Sequence, residues 1–345
     1  MGCVTALAAG ASVLPAGCER SVSRKAVLQS LVQHLALPDA AAIVRETKAL
    51  ESALAQLERE ASATSLQSAR TTLQHALIAW QRAYAFRHGP IEDSRALMHA
   101  AFWPIRSSAV EHLVTGPQSI DDAFVSELGV DSKGLFALEH LLFAEPTPNT
   151  TWMLGTVSTR ACALASALAR DVSRHAERVA HDLARGDFQR NFANAGQDSL
   201  NQVVNQMLAT LETIAADRLG RIASMRSNQR FEMRDVQGAE SGLSVDIPLA
   251  WLTTTQRVYL GLERESLATL VKQVAPQVDV QVRAVFAGAT AALQALPKRL
   301  DDSDVATTHA LEAAILSIKD LEVALKVDVA SALGVTLSFI SSDGD

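Results

Sequence analysis

The amino-acid sequence predicts an all-α protein arranged as two helical bundles. Hydrophobic residues make up 48% of the chain but aromatics only 5%, and the abundance of Ala and Leu favours packed helices over sheets. Every long segment repeats its apolar residues at intervals of three and four, and none alternates for long enough to make a strand. Trp80-Gln81-Arg82-Ala83-Tyr84 is echoed by Thr255-Gln256-Arg257-Val258-Tyr259, which points to an internal duplication. A chain of 345 residues is also long for a single core, since domains average about 150 residues.

Residues 1–18 carry no charge and are mostly Ala, Val, Leu and Gly, a run too short to span a bilayer and of the composition of an export signal. They end in Leu14-Pro15-Ala16-Gly17-Cys18, which resembles a bacterial lipoprotein box, where Cys18 is lipidated and opens the mature chain. Pro15 stands where Leu is usual, and cleavage after Ala9-Gly10-Ala11 is the competing reading; either way the protein is expected to be exported. Glu19 is not the Asp that favours inner-membrane retention, so the lipoprotein reading implies a periplasmic protein anchored to the outer membrane. Cys3 would leave with the signal and Cys18 would be acylated, so Cys162 stands alone, set between alanines as a small buried hydrophobe.

Val27, Leu28, Leu31, Val32 and Leu35 mark one helical face, after which Pro38-Asp39 is expected to stop and restart the chain; Ile43, Leu50, Leu54 and Leu57 follow. Leu66, Leu73, Leu77, Trp80 and Tyr84 make another helix, closed by Gly89-Pro90. Residues 89–129 are dense in Gly and Pro and read as short helices and loops shaping a cleft, which makes His88, His99, Glu111 and His112 either candidate neighbours of Glu139 or residues of a solvated face. A long helix from Val157 to Leu183 stops at Gly186, flanked by His175 and His181 as surface or boundary residues. Phe188 to Ile214 leads to a helix stop at Leu219-Gly220, residues 221–242 are polar and loop-like, and the last helix steps from Leu311 to Leu333 before Gly334. The expected division is a signal over 1–18, an N-terminal helical domain over 19–186 and a C-terminal bundle over 187–345, meeting near residues 185–195.

The chemistry concentrates in Lys133-Gly134-Leu135-Phe136-Ala137-Leu138-Glu139-His140-Leu141-Leu142-Phe143, where a carboxylate and an imidazole sit in an apolar helix. Phe136 lies one turn before Glu139 and His140, so all three can face one cavity. Two readings stand: Glu139 and His140 at the edge of an apolar stripe, reaching solvent or an Arg, or Glu139 buried and held by hydrogen bonds or by Arg82, Arg87 or Arg106. The 31 basic and 38 acidic residues give a net charge of −7 with no basic tract, so nucleic acid is not an expected partner.

The segment resembles the central motif of the imelysin family, Gly-x-His-x-x-Glu followed by an apolar run, with Gly134, Glu139 and Leu141-Leu142-Phe143 in place and Phe136 where the family has His. Trp80-Gln81-Arg82, Phe102-Trp103-Pro104, the stretch Asn201 to Gly220, Glu240-Ser241-Gly242-Leu243-Ser244 and the Asp343-Gly344-Asp345 ending are similar to family landmarks. The resemblance implies two bundles with a ligand site at their seam, built from Glu139, Phe136, His140, Gly134, Trp103, Arg82, Ser241 and Ser244, with Glu139 as metal ligand. It further implies an exported, often lipid-anchored protein of iron acquisition, with the membrane and iron-uptake components as partners and iron or another divalent or trivalent metal as the candidate cofactor. Peptidase chemistry finds no motif: His-Glu-x-x-His is absent from the sequence, and Ser241-Gly242-Leu243-Ser244 is no Gly-x-Ser-x-Gly elbow. The sequence therefore reads as a binding protein; a metal-dependent hydrolase and an envelope interaction module without a small ligand are the other readings. Mass spectrometry of the mature protein is expected to find an acylated N-terminal Cys18, whereas a free N-terminus at Ser12 would rule lipidation out and leave export standing.

Overall fold

The computed structural model describes residues 21–144, 158–227, 236–262, 265–298, 300 and 305–338. Among these the regular structure is helical throughout and no strand occurs. Ser23 opens α1 (Arg24–Arg59) by accepting the Ala26 N–H on its Oγ at 3.2 Å. Pro38 does not stop this helix as expected. A π-type segment, Val32–Ala36, lies just ahead of it and contains His34, whose carbonyl the proline ring would otherwise crowd and whose donor it lacks.

The second helix, α2 (Ala63–Tyr84), starts with a reciprocal Ser62/Ser65 capping box and buries Leu66, Leu73, Leu77 and Trp80. It packs on α1, which also lies along α4 (Ser158–Ala184), and the short apolar α3 (Leu135–Phe143) wedges between α2 and α4. The Gly- and Pro-rich stretch before α3 forms four short helices, Pro90–Asp93, Ala96–Ala101, Ser107–Thr115 and Asp122–Ser126, and a 3-10 turn at Val130–Ser132.

Gly186 closes α4 in the left-handed conformation, φ 78°, and a short helix, Asp187–Asn194, leads into the second group. There α5 (Gln197–Glu212) continues through a π-type segment, Thr213–Gly220, into Arg221–Ser227. The expected stop at Gly220 is thus also overrun. The wide turn brings the Ala215 carbonyl to 2.7 Å from where a Cβ on residue 220 would sit, so this glycine accommodates the π-turn instead of ending the helix. The group is completed by α6 (Asp246–Leu260), Leu267–Val274, α7 (Pro276–Gln294) and α8 (Val305–Val323), which runs on through Ala324–Val329 to Leu333. After Gly334 the chain lies along α5, where the Asn201 and Asn205 amides bond the backbone of Thr336 and Ser338 at 2.9–3.1 Å. The Asp-Gly-Asp ending falls outside the described residues.

The two groups join chiefly through α2 and α6. Tyr84 stacks on Trp251 with centroids 4.5 Å apart, and Trp251 Nε1 donates to Gln81 Oε1 at 2.8 Å. Arg257 Nη1 donates to both Asp39 oxygens at 3.1 Å, and Gln74 Nε2 donates to the Ser241 carbonyl at 2.8 Å. The echoed segments thus sit on paired helices but meet different partners, Tyr259 being buried with its hydroxyl 3.2 Å from Asp279. Because Gln81 and Trp251 are both buried, Gln81→Leu is expected to lower unfolding stability by about 1–3 kcal/mol by stranding the indole N–H. Urea titration should show most of that loss recovered in the Gln81→Leu/Trp251→Phe double variant, where neither polar partner remains.

Candidate functional site

Gly134 sets the entry of α3 with φ 84°, and a Cβ there would lie 2.8 Å from the Ala100 carbonyl oxygen and 3.0 Å from that of His99. The tight approach under the Ala96–Ala101 helix is open only to glycine, and it drives α3 into the interior. Residues 135–142 are all buried, including Glu139 at 5% exposure and His140 at 8%.

The Glu139 carboxylate is held without an arginine. Its Oε1 accepts the Ser241 N–H at 2.9 Å and the Ser241 hydroxyl at 2.5 Å. Burial nevertheless raises its pKa to about 7; the two Ser241 bonds and nearby His140 pull downward, and the Glu240 charge pushes further up. The guanidinium groups expected as partners go elsewhere: Arg106 pairs with Asp131, Arg87 lies 4.5 Å over the Tyr84 ring, and Arg82 lines a different cleft.

His140 is clamped on both nitrogens, Nδ1 lying 2.9 Å from Glu240 Oε1 and Nε2 3.4 Å from Glu111 Oε1. Burial opposes its charged form, but the bond to and charge of Glu240, with the same from Glu111, outweigh that and raise its pKa above the usual histidine value. Glu139, His140, Phe136 and Trp103 face a pocket of about 160 Å³ together with Glu240, Val236 and Pro104. Next to it the Arg218 guanidinium lies over the rings of Trp103, at 4.9 Å, and Trp251, at 5.4 Å, while its Nε donates to Gln237 at 2.8 Å.

Of the residues singled out from sequence, Glu139, Phe136, His140, Trp103 and Ser241 come together, with Gly134 as the hinge of the helix that carries three of them. Arg82 and Ser244 do not join them: Ser244 Oγ donates to the Lys298 carbonyl at 3.2 Å, and Arg82 belongs to a cleft of about 610 Å³ between α2 and α6. Glu240 and Arg218 were not singled out, although both lie inside segments that resemble family landmarks; adjacency to Ser241 is the one signal that pointed to Glu240. His99 is not a neighbour of Glu139. It stacks on His175 with centroids 4.9 Å apart, and His175 is a half-buried boundary residue beside Asp171.

The residues at Glu139 do not fit a resident metal ion. Phe136 offers no donor, Glu139 Oε1 is committed to Ser241, both His140 nitrogens face carboxylates, and among the described residues no three His, Cys, Asp or Glu side chains are set to hold one ion. Cys162 is buried, and burial pushes its thiol up to about 11, far from the range of a nucleophile.

A carboxyl whose folded pKa exceeds its unfolded value stabilises the fold while protonated, so Glu139 contributes fully below about pH 4.5 and that contribution is lost as pH rises through 7. Denaturation of wild type between pH 4.5 and pH 7.5 is expected to contain this loss, about 3 kcal/mol at most. Glu139→Gln, which keeps an oxygen for Ser241 but cannot ionise, should flatten that part of the profile; an unchanged profile would contradict the buried acid.

Comparison with known proteins shows the family and the fold. The family model described as Imelysin matches residues 36–325. Two solved structures share the fold. An imelysin-like protein from Psychrobacter arcticum 273-4 is 16% identical, with a TM-score of 0.75 over 92% of this chain and 97% of that one. The "putative iron-regulated protein A precursor" of Parabacteroides distasonis ATCC 8503 is 15% identical, with a TM-score of 0.75 over 93% of this chain and 98% of that one. No curated protein sequence matches significantly. With the family model covering most of its length and the Glu139 helix inside the matched region, this chain belongs to the imelysin family.

Proposed function

We propose that the protein is an exported, non-catalytic binding protein of the bacterial envelope, anchored through Cys18 and working in iron acquisition, with its ligand taken at the junction of two duplicated helical bundles, 19–186 and 187–345. One observation carries the reading. Glu139 and His140, from the first half, are tied to Ser241 and Glu240, from the second, and line one pocket with Trp103 and Phe136. A buried, hydrogen-bonded carboxylate beside an imidazole set between two further carboxylates, with two aromatic walls, is a recognition surface for a polar small molecule. Neither a zinc-peptidase spacing nor a serine elbow accompanies it, so binding is favoured over hydrolysis. Family membership and the iron-regulated name of one structural relative support the iron-related role.

Because Phe136 stands where the family motif has His, a bare transition metal should bind weakly to wild type. Calorimetric titration of residues 19–345 with Fe(III) and Zn(II) is expected to show at least about a tenfold gain in affinity for Phe136→His, about 1.4 kcal/mol, and loss of that gain in Phe136→His/Glu139→Ala. Tight metal binding by wild type that Phe136→His leaves unchanged would place the ligands elsewhere and defeat this account of the pocket.

A further inference from the structure

The turn that clamps Glu139 also walls the larger cleft. Ser241 faces Glu139, while Gly242, Leu243 and Val245 line the space of about 610 Å³ between α2 and α6. We propose that this cleft is a second binding site, separate from the Glu139 pocket, for a small organic anion: a carboxylate carried on an apolar body.

Its volume falls in the range of small-molecule sites, and its walls divide in the way such sites do, into an apolar surface and a few charged groups. Ile78 from α2, Leu249 from α6, Leu243 from the turn and Leu296 from beyond α7 supply apolar contact. Arg82, in the last turn of α2, and Lys298, just past α7, bring cations from two separate elements, against one acidic group on the lining, Asp246.

The internal echo sharpens the point. Arg82 and Arg257 hold corresponding places in the paired segments Trp80 to Tyr84 and Thr255 to Tyr259. Arg257 has its carboxylate, Asp39, bonded through both oxygens at 3.1 Å. Arg82 acts on Asp39 only from a distance and, among the described residues, neither Arg82 nor Lys298 forms an ion pair. In a chain with a net charge of −7, two cations with no carboxylate paired to them among the described residues, at one half-apolar cleft, complement an anion brought from outside.

The test is calorimetric titration of residues 19–345 with 2-naphthoate and with decanoate, using neutral 2-naphthol as the control. Both carboxylates are expected to bind, and 2-naphthoate at least about tenfold more tightly than 2-naphthol. Arg82→Gln/Lys298→Gln should weaken the carboxylates by about tenfold or more without moving 2-naphthol, and Leu249→Trp, which fills the cleft, should weaken all three. Because neither Arg82 nor Lys298 lines the Glu139 pocket, loss of carboxylate affinity in Arg82→Gln/Lys298→Gln separates the two sites. Since Arg82 and Lys298 are exposed, their variants should melt with wild type, and circular dichroism checks that. Equal affinity for 2-naphthoate and 2-naphthol, an unaffected Arg82→Gln/Lys298→Gln variant, or no binding of either carboxylate at about 1 mM would each overturn the proposal.

Discussion

A carboxylate inside an apolar helix is a liability unless donors reach it, and the tie between α3 and the turn at Ser241 follows from how Glu139 meets that demand. Its donors come from a residue 102 positions away, which offers backbone and hydroxyl hydrogens to the same oxygen. Fixing Ser241 fixes its neighbours: Glu240 reaches His140, Gly242 and Leu243 turn toward the wide cleft, and the Ser241 carbonyl is left for Gln74. One buried acid therefore sets the position of a turn, and that turn serves two cavities.

Phe136 changes what the acid can do. An imidazole at that position would present a nitrogen to the pocket; a phenyl ring presents only a wall. The polar groups that remain answer one another, Glu139 with Ser241 and His140 with Glu240 and Glu111, so a hydrogen-bond network joins the two halves of the chain. The two carboxylates favour the protonated form of the imidazole between them, and the Arg218 cation beside it is stabilised by the faces of two tryptophans.

Much of the fold was legible because helical periodicity is local information: the faces carrying Leu66 to Tyr84 and Leu311 to Leu333 are read directly from spacing. The errors lie where a residue's usual effect depends on the turn it sits in. Pro38 and Gly220 act as breakers in a regular α-helix, yet both are absorbed by widened π-type turns that spacing does not reveal. Within the candidate site, the cost of burying Glu139 could be foreseen from its apolar setting, but Ser241 could not be deduced as its partner from Glu139 alone. An arginine was the natural expectation for such a charge, and a serine a hundred residues away leaves no local trace. The same holds for Glu240, Arg218 and the stacking of His99 on His175, all of which arise from long-range packing.

The first turns of α1 pack on Asp187–Asn194 and α5. Val27 and Leu28, on those turns, end with no exposed surface. During synthesis from the N-terminus, the start of the leading helix gains its contacts with Asp187–Asn194 only after more than 150 later residues. A chain arrested midway would show that stretch to any chaperone at hand, and the last strokes of folding would seal its beginning as well as its end.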